Sequence, residues 1–518
     1  MDKENYTKAS RDGARESLWQ SALSQGSGQN NAPLDDIFDT LIIGGGITGI
    51  TTALLQQQQG QKCILIEARN LGFGTTGGTT AHLNTFLDSS YPEIDSDFGA
   101  DASKLMATAA KEMITLIRSN IEQLGIDADF EEKKAYLFSQ NAQETETLRQ
   151  ILESSRQAGV SVEEVFENAV PLSFEHVLRF DGQAQFHPLK YILGLADEFR
   201  RIGGIILEQT FIAELKNKHG MHQVNAGQLN ILAKNVVYAT HIPPGINLLS
   251  LRNAPYRSYV VAATLKNGSY PEDLAYDLQE PYHYFRSHNV AGKQYLIIGG
   301  ADHKTGHSDP QQTFETLESY ARENFDIESV DYKWSSQYYV PVDGLPYIGE
   351  LPGAGEGVYV ATGFNGNGMI FGSLSATIIS DLILDKANPY SNLLSPSRLK
   401  PIAGFSEFVK ENADVAYHLI ADRFGAELIS STDALSAGEG KIVSFEGEKL
   451  AIYKDETGKV SALSPVCTHA GCIVNWNAEE KSWDCPCHGG RFDSNGTVLT
   501  GPPRSNLKAI DLSKHSLD

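Results

Sequence analysis

Cysteine is scarce in this chain, with five among 518 residues, which excludes the disulfide framework of a small secreted domain. Basic residues are also in deficit: 42 Lys and Arg stand against 65 Asp and Glu, a formal net charge of −23. A chain so acidic is a poor partner for nucleic-acid phosphates or for an anionic membrane face. No apolar run approaches the roughly 20 residues of a membrane span. The first 38 residues are polar and mixed in charge, without an apolar export core, and the C-terminus has no lipidation or retention signal. The expectation is a soluble cytoplasmic protein with no membrane span. What remains is ordinary, 41% hydrophobic and 21% charged, so disorder, collagen and coiled coil are excluded as the main architecture. At roughly 100–200 residues per domain, the length predicts two to four folded units.

The placement of the cysteines says more than their number. Cys63 stands alone in an apolar run and reads as core packing. The other four fall within 21 residues, in the boxes Cys467-Thr468-His469-Ala470-Gly471-Cys472 and Cys485-Pro486-Cys487-His488-Gly489-Gly490. A structural zinc site fits badly, because the spacings are too tight and six candidate ligands exceed zinc's four. The boxes closely resemble the two loops of a Rieske [2Fe–2S] domain. That resemblance implies Cys467 and Cys485 on one iron, His469 and His488 on the other. It also implies a loop-to-loop disulfide between Cys472 and Cys487, and a cluster-covering loop at Gly501-Pro502-Pro503. Short β-rich segments at Lys441–Phe445, Leu450–Lys454 and Val460–Ser464, separated by turns at 446–448 and 456–458, agree with an all-β module. Many high-potential members place a serine after the second His-Gly pair. Gly490 stands there instead, and a lost donor to sulfur predicts a potential in the lower half of the Rieske range.

Near the N-terminus, the apolar run Asp39–Ile43 leads into Gly44-Gly45-Gly46-Ile47-Thr48-Gly49, a helical stretch, and a second apolar strand ending at Glu67. The acidic residue lies 23 positions beyond the first glycine, which completes a βαβ dinucleotide-binding context. Gly44 suits the tight turn, Gly46 the approach of a pyrophosphate, Gly49 the packing of helix on strand, and Glu67 the adenosine ribose. Ile47, Thr48, Ala68 and Arg69 flank them. The loop Leu71–His82, with Thr75, Thr79 and Thr80, resembles flavoproteins of the amino-acid and amine oxidase superfamily. So do Asn235–Thr240, with Ala239 and Thr240, Asp343–Gly349, and Val358–Met369, with Gly363, Asn365, Gly366, Asn367, Gly368 and Met369. In that resemblance a helix at about 370–384 points its N-terminus at the flavin pyrimidine. The cofactors implied are FAD and a [2Fe–2S] cluster.

The expected fold is an α/β FAD-binding Rossmann-like domain with an α+β substrate domain, followed by a small all-β Rieske domain. Residues 1–38 read as a polar arm, 39–395 as the FAD module, 396–428 as linker and connector helix, and 429–518 as the Rieske module; substrate-domain pieces fall at about 85–185 and 245–335. Helical spacing predicts helices over 102–124, 188–202 and, in the connector, about 404–424. The pairing resembles bacterial FAD-dependent oxidoreductases with a C-terminal Rieske domain. It implies oxidation of a small amine, amino acid or hydroxy acid at the flavin, with electrons passed singly through the cluster to an external acceptor. The alternative is a redox relay, sensor or reductase fed by a donor protein through the cluster. Relatives that oxidise amino acids often carry an arginine shortly before the Asp-Gly-x-Pro motif, and Gln337–Val342 has none. Arg286 and Tyr338 are the remaining substrate candidates, with structural arginine and packing tyrosine as the plainer readings; Tyr339 reads as packing as well. No general base is legible. A Rieske oxygenase, with Glu280, His283 and His288 on a mononuclear iron, is disfavoured because that segment alternates like a strand. His303 and His307 read as loop residues.

Overall fold

Strand Ile37–Ile43 is apolar on both faces, so it belongs in the middle of a covered parallel sheet, and in the computed structural model it lies there. The structure describes residues 11–21, 37–218, 220–226, 229–398, 410–415, 418, 427–428, 435–445 and 448–512. Ile37–Ile43 pairs in parallel with Cys63–Ile66 on one side and Leu229–Tyr238 on the other. Ile205–Leu207 extends the first side and Val358–Thr362 the second, with Tyr347–Glu350 antiparallel at the edge. Helices Ile47–Gln58 and Gly368–Ile383 pack on each other against this sheet. Both begin where a strand of the sheet ends, so their N-termini converge on one side.

A second, nine-stranded sheet is built mainly from antiparallel ladders. Its backbone is the long strand Ile327–Pro341 beside Asn253–Leu265, then Lys293–Lys304, His283–Val290, Leu274–Asp277, Glu131–Ser139, His176–Gln185 and His82–Leu83. Two four-stranded sheets form the C-terminal region: Glu427–Leu428, Glu439–Phe445, Glu448–Lys454 and Val460–Leu463, then Asn475–Asn477, Ser482–Asp484, Arg491–Asp493 and Val498–Thr500. The expected helices appear as Ala100–Leu124, closed by Gly125 at φ 64°, and Pro188–Arg201, with Ile202 as its cap. The closing flavin helix starts at Gly368, two residues before its expected start. Of the connector expected over 404–424, residues 410–415 are helical and most of the rest lies outside the described residues, as do 446–447 of one expected turn.

The described part of the N-terminal segment is a wedge. Leu18, Trp19, Arg11 and Asp12 are all buried, and the Trp19 indole N–H donates to Thr79 O at 2.6 Å. Arg11 pairs with Glu480 at 2.7 Å and Asp12 with Arg491 at 3.1 Å, which ties the wedge to the C-terminal region. Glu480 also lies 3.6 Å from Arg257 of the nine-stranded sheet through its other oxygen, which accepts the backbone N–H of Ser335 at 3.1 Å as well. Asp484 accepts from Arg491 at 3.0 Å. Three guanidiniums and three carboxylates therefore share one buried patch, and the composition of a polar arm gives no sign of it.

Burial alone would raise the Glu480 carboxyl, but the charges of Arg11, Arg257 and Arg491 hold it down at about 2. Its folded value is below the ordinary glutamate range, so its contribution is complete above about pH 4.3 and disappears as pH falls towards 2. Removing one member of a buried ion network costs about 3–5 kcal/mol. Glu480→Gln should be less stable at pH 7 by about that amount in chemical denaturation. Its deficit relative to the wild type should shrink as pH is lowered from 4.5 to 2.5. A deficit that is constant across this window would contradict the network.

Candidate active site and metal centre

One deep cavity opens where the two large sheets meet. Its first wall is the Gly44–Thr48 turn, and the backbone leaves no room for a side chain at its first glycine. Gly44 sits at φ 114°, and a Cβ on it would lie 2.4 Å from Ala239 O. A Cβ on Gly49 would lie 1.9 Å from Gly44 O, so that glycine closes the turn from behind. Ile47 N–H donates to Thr76 Oγ1 at 3.1 Å. Neither the helix starting at Ile47 nor the one starting at Gly368 has a side-chain cap at its N-terminus. Two uncapped, partially positive helix ends in one cavity suit an anionic, phosphate-bearing cofactor. Glu67 lines the cavity and accepts from Gly45 N at 2.6 Å and Arg69 N at 2.8 Å.

Of the residues expected to hold FAD, Gly44, Gly46, Ile47, Thr48, Glu67, Ala68, Thr75, Thr79, Thr80, Ala239, Thr240, Asn365, Gly366, Asn367, Gly368 and Met369 line this cavity. Gly49, Arg69 and Gly363 do not. Gly49 packs on Gly44, and a Cβ on Gly363 would meet Asn253 Oδ1 at 2.5 Å. The Arg69 guanidinium donates to Val498 O at 2.9 Å.

The nine-stranded sheet supplies the opposite wall: His82, Ser258, Tyr276, Tyr284 and Tyr338, with Asn84 and Asp88 beside them. Asp88 is open to the cavity, where its Oδ2 accepts from Gly366 N at 2.7 Å. Behind the wall, Asp302 accepts from Tyr338 at 2.8 Å and Tyr282 at 3.3 Å. Burial raises the Asp302 carboxyl to about 6, against the lowering effect of the Ser258 and Tyr338 hydroxyls. Burial, with Arg286 nearby, keeps His82 neutral.

Arg286 corrects one expectation. It is fully buried outside the cavity, its Nη1 donating to the carbonyls of Thr80, Ala81 and Phe186 and its Nη2 contacting His288 at 2.7 Å. Every such bond goes to protein, so it is a structural arginine and no grip for a substrate carboxylate. Tyr338 does line the cavity. His283 bonds Asp277 at 2.8 Å, while His288 packs against Trp19 from the same strand, so they form no shared iron site. His303 is part of the strand Lys293–Lys304, where it stacks on Tyr259, and so is not in a loop.

In the C-terminal region the two Cys/His boxes face each other. Cys467 and Cys485 are buried and free, their thiols in hydrogen-bond contact, and the His469 and His488 rings lie 4.8 Å apart. All four imidazole nitrogens are buried without a protein partner, a costly arrangement unless something else takes their lone pairs. Burial lowers both histidines, His488 to about 4, which keeps the neutral ligand form. The donor set of two thiols and two imidazoles fits a [2Fe–2S] centre. A disulfide joins Cys472 and Cys487. A Cβ on Gly490 would lie 2.6 Å from the Pro503 ring, so that ring already fills the space a serine would need.

Cavity and cluster loops share a wall. Val498, Leu499, Thr500, Gly501 and Pro503 of the C-terminal region line the cavity directly. The Gln337 side-chain amide donates to Gly489 O at 2.9 Å, and the Tyr339 hydroxyl to His488 O at 3.3 Å. Thr75 Oγ1, on the cofactor side, donates to Gln337 O at 2.8 Å. His241 lines the cavity, contacts Thr75 Oγ1 at 3.2 Å and packs edge-on to Tyr339 at 4.8 Å. Asp88, Asp302, His82 and His241 escaped sequence reasoning, because only long-range pairing brings them to the cavity.

Fold and site together define a flavin-dependent oxidoreductase carrying a Rieske iron–sulfur module. Residues 39–382 match the FAD dependent oxidoreductase (DAO) family, and residues 427–511 match the Rieske [2Fe-2S] domain. The chain is 35% identical to the Rieske 2Fe-2S iron-sulfur protein YhfW of Bacillus subtilis (strain 168), over 92% of this chain and 93% of that one. It is 22% identical to gamma-glutamylputrescine oxidoreductase of Escherichia coli (strain K12), over 77% of this chain and 97% of the relative. Among solved structures, glycine oxidase from Geobacillus kaustophilus superposes with a TM-score of 0.59 at 19% identity, covering 70% of this chain and 99% of that one, a likeness of fold. The chain belongs to the DAO family of FAD-dependent oxidoreductases, with a Rieske domain at its C-terminal end, and its cofactors are FAD and a [2Fe–2S] cluster. No helix among the described residues is long and apolar enough to cross a membrane.

The two cofactor sites should be separable. His488→Ala is expected to abolish the visible and EPR signals of the cluster while flavin content stays close to wild type. Gly44→Val should do the reverse, since its Cβ would collide with Ala239 O. Loss of both cofactors from either variant would argue against independent sites.

Proposed function

We propose that this protein oxidises a small organic molecule in the shared cavity and delivers the electrons one at a time, through its Rieske module, to an external acceptor. When bound, FAD supplies a two-electron hydride acceptor and the cluster a one-electron carrier. The cavity-lining residues of the Gly44–Thr48 turn and of Thr75–Thr80, Ala239–Thr240 and Asn365–Met369 would hold FAD, with Glu67 towards the ribose. Cys467, Cys485, His469 and His488 would hold the cluster. Asp88 and the tyrosine wall would face the substrate, and the Val498–Pro503 segment covers the cavity against water.

The observation that carries this reading is the shared wall. The carbonyls of His488 and Gly489 are hydrogen-bonded to Tyr339 and Gln337, and Gln337 is bonded in turn to Thr75 of the cavity. Such contacts hold the cluster loop at a fixed, short separation from the cavity, as direct electron transfer requires. No partner surface has to move to make the connection.

Anaerobic photoreduction of the holoenzyme, following flavin absorbance and the EPR signal of the reduced cluster together, tests the direction. The cluster signal should grow as the flavin bleaches, with the cluster potential above that of the flavin. A cluster potential well below the flavin's would overturn the proposal and support a reductase fed through the Rieske module.

A further inference from the structure

We propose that the substrate end of the cavity selects a cationic amine, an alkyl- or aralkylammonium group, and excludes a substrate anchored by a carboxylate. This rests on the reading of the cavity as the place of substrate oxidation. The first observation is the charge of the wall. No lysine or arginine lines the cavity among the described residues. A carboxylate bound there would be desolvated without a guanidinium or ammonium to receive it, a cost that buried anions do not bear unpaired. Arg286, the nearest arginine in sequence to the tyrosine wall, is committed to three carbonyls and to His288 outside the cavity.

The second observation is what stands there instead. Asp88 is open to the cavity, where it accepts from Gly366 N–H at 2.7 Å and forms no ion pair with a lysine or arginine of the lining. Tyr276, Tyr284 and Tyr338 present aromatic groups to the same space, and aromatic faces attract cations. The Tyr338 hydroxyl already donates its proton to Asp302, which leaves its oxygen lone pairs as acceptors for an incoming N–H. Behind that wall Asp302 accepts from the Tyr338 and Tyr282 hydroxyls and forms no ion pair among the described residues, so no cation stands beside its carboxyl. Burial keeps His82 neutral, so it does not oppose a positive ligand.

An α-amino acid would satisfy this wall with its ammonium, but its carboxylate would then sit near Asp88 without a counter-charge. A simple amine brings the same cation without that penalty. The difference between the two classes should therefore be large and should depend on the two aspartates.

The test uses the oxidised, full-length holoenzyme and flavin difference spectra, with matched pairs as probes: benzylamine against benzoate, and n-butylamine against butyrate. Under anaerobic conditions the amines should perturb or bleach the flavin at concentrations at least ten-fold lower than the carboxylates. Asp88→Asn should weaken the amines ten-fold or more, with carboxylate binding unchanged or tighter. Asp302→Asn provides a second variant if Asp88→Asn retains too little FAD. Carboxylates that bind as tightly as the amines, no spectral response to either class, or an amine preference that survives both substitutions would each overturn the proposal. Photoreduction needs no substrate, so failure here and failure of the electron path are read from separate experiments.

Discussion

The buried charge cluster around Glu480 is the constraint on which the two-module design depends. Electron transfer between cofactors falls steeply with distance, so two domains joined only by a chain connector would exchange electrons at whatever rate their encounters allowed. Here Glu480 of the Rieske module meets Arg257 and Ser335 of the nine-stranded sheet and Arg11 of the N-terminal wedge, while Arg491 meets Asp12. Three positive and three negative groups, all nearly inaccessible, have no alternative partners once buried. A displaced arrangement would leave at least one charge unpaired in a low-dielectric interior, which is far costlier than losing apolar contact of the same area. Charge pairing thus gives the interface a single register. Apolar packing alone tolerates small slides.

That register fixes the cluster loops against the sheet. Gly490 is part of the same fit: the Pro503 ring occupies the space its side chain would take, and Pro503 also lines the cavity. The missing serine is therefore accounted for by packing. A loop drawn tightly over the cluster closes the flavin cavity from the other side, and the glycine is what lets the two surfaces meet.

Local rules made the cofactor sites legible in the sequence. Turn and helix geometry force glycine at Gly44 and Gly49 within a few residues of one another, and the cluster loops carry thiols and imidazoles two or three positions apart. Both are short-range demands, visible in any window of ten residues. The wedge was illegible because its partners are remote: Arg11 and Glu480 are 469 residues apart, and only the fold reveals that their charges cancel. The cavity wall was illegible for a related reason. Asp88, Ser258, Tyr276 and Tyr338 come from separate segments, and nothing in the pattern of one announces the others. Arg286 was ambiguous in the sequence for want of knowing which side of its strand faced the cavity; its bonds to Thr80, Ala81 and Phe186 resolve it.

Strand alternation then explains how one segment serves both the cavity wall and the cluster loop. In Ile327–Pro341 successive side chains point to opposite faces. Tyr338 reaches Asp302 and the tyrosine wall, whereas Gln337 and Tyr339 reach the carbonyls of Gly489 and His488. The pairing of Gln337 with Arg257, Tyr338 with Tyr256 and Tyr339 with Pro255 sets which residue looks which way. Arg257 also belongs to the charge cluster, so the pairing that holds the Rieske module in place is the pairing that turns Tyr338 to the cavity. A slip of one residue would turn Tyr338 to the cluster loop and its neighbours to the cavity, exchanging the two sets of contacts at once. The register of a single strand pair therefore couples the cavity wall to the seat of the cluster loop.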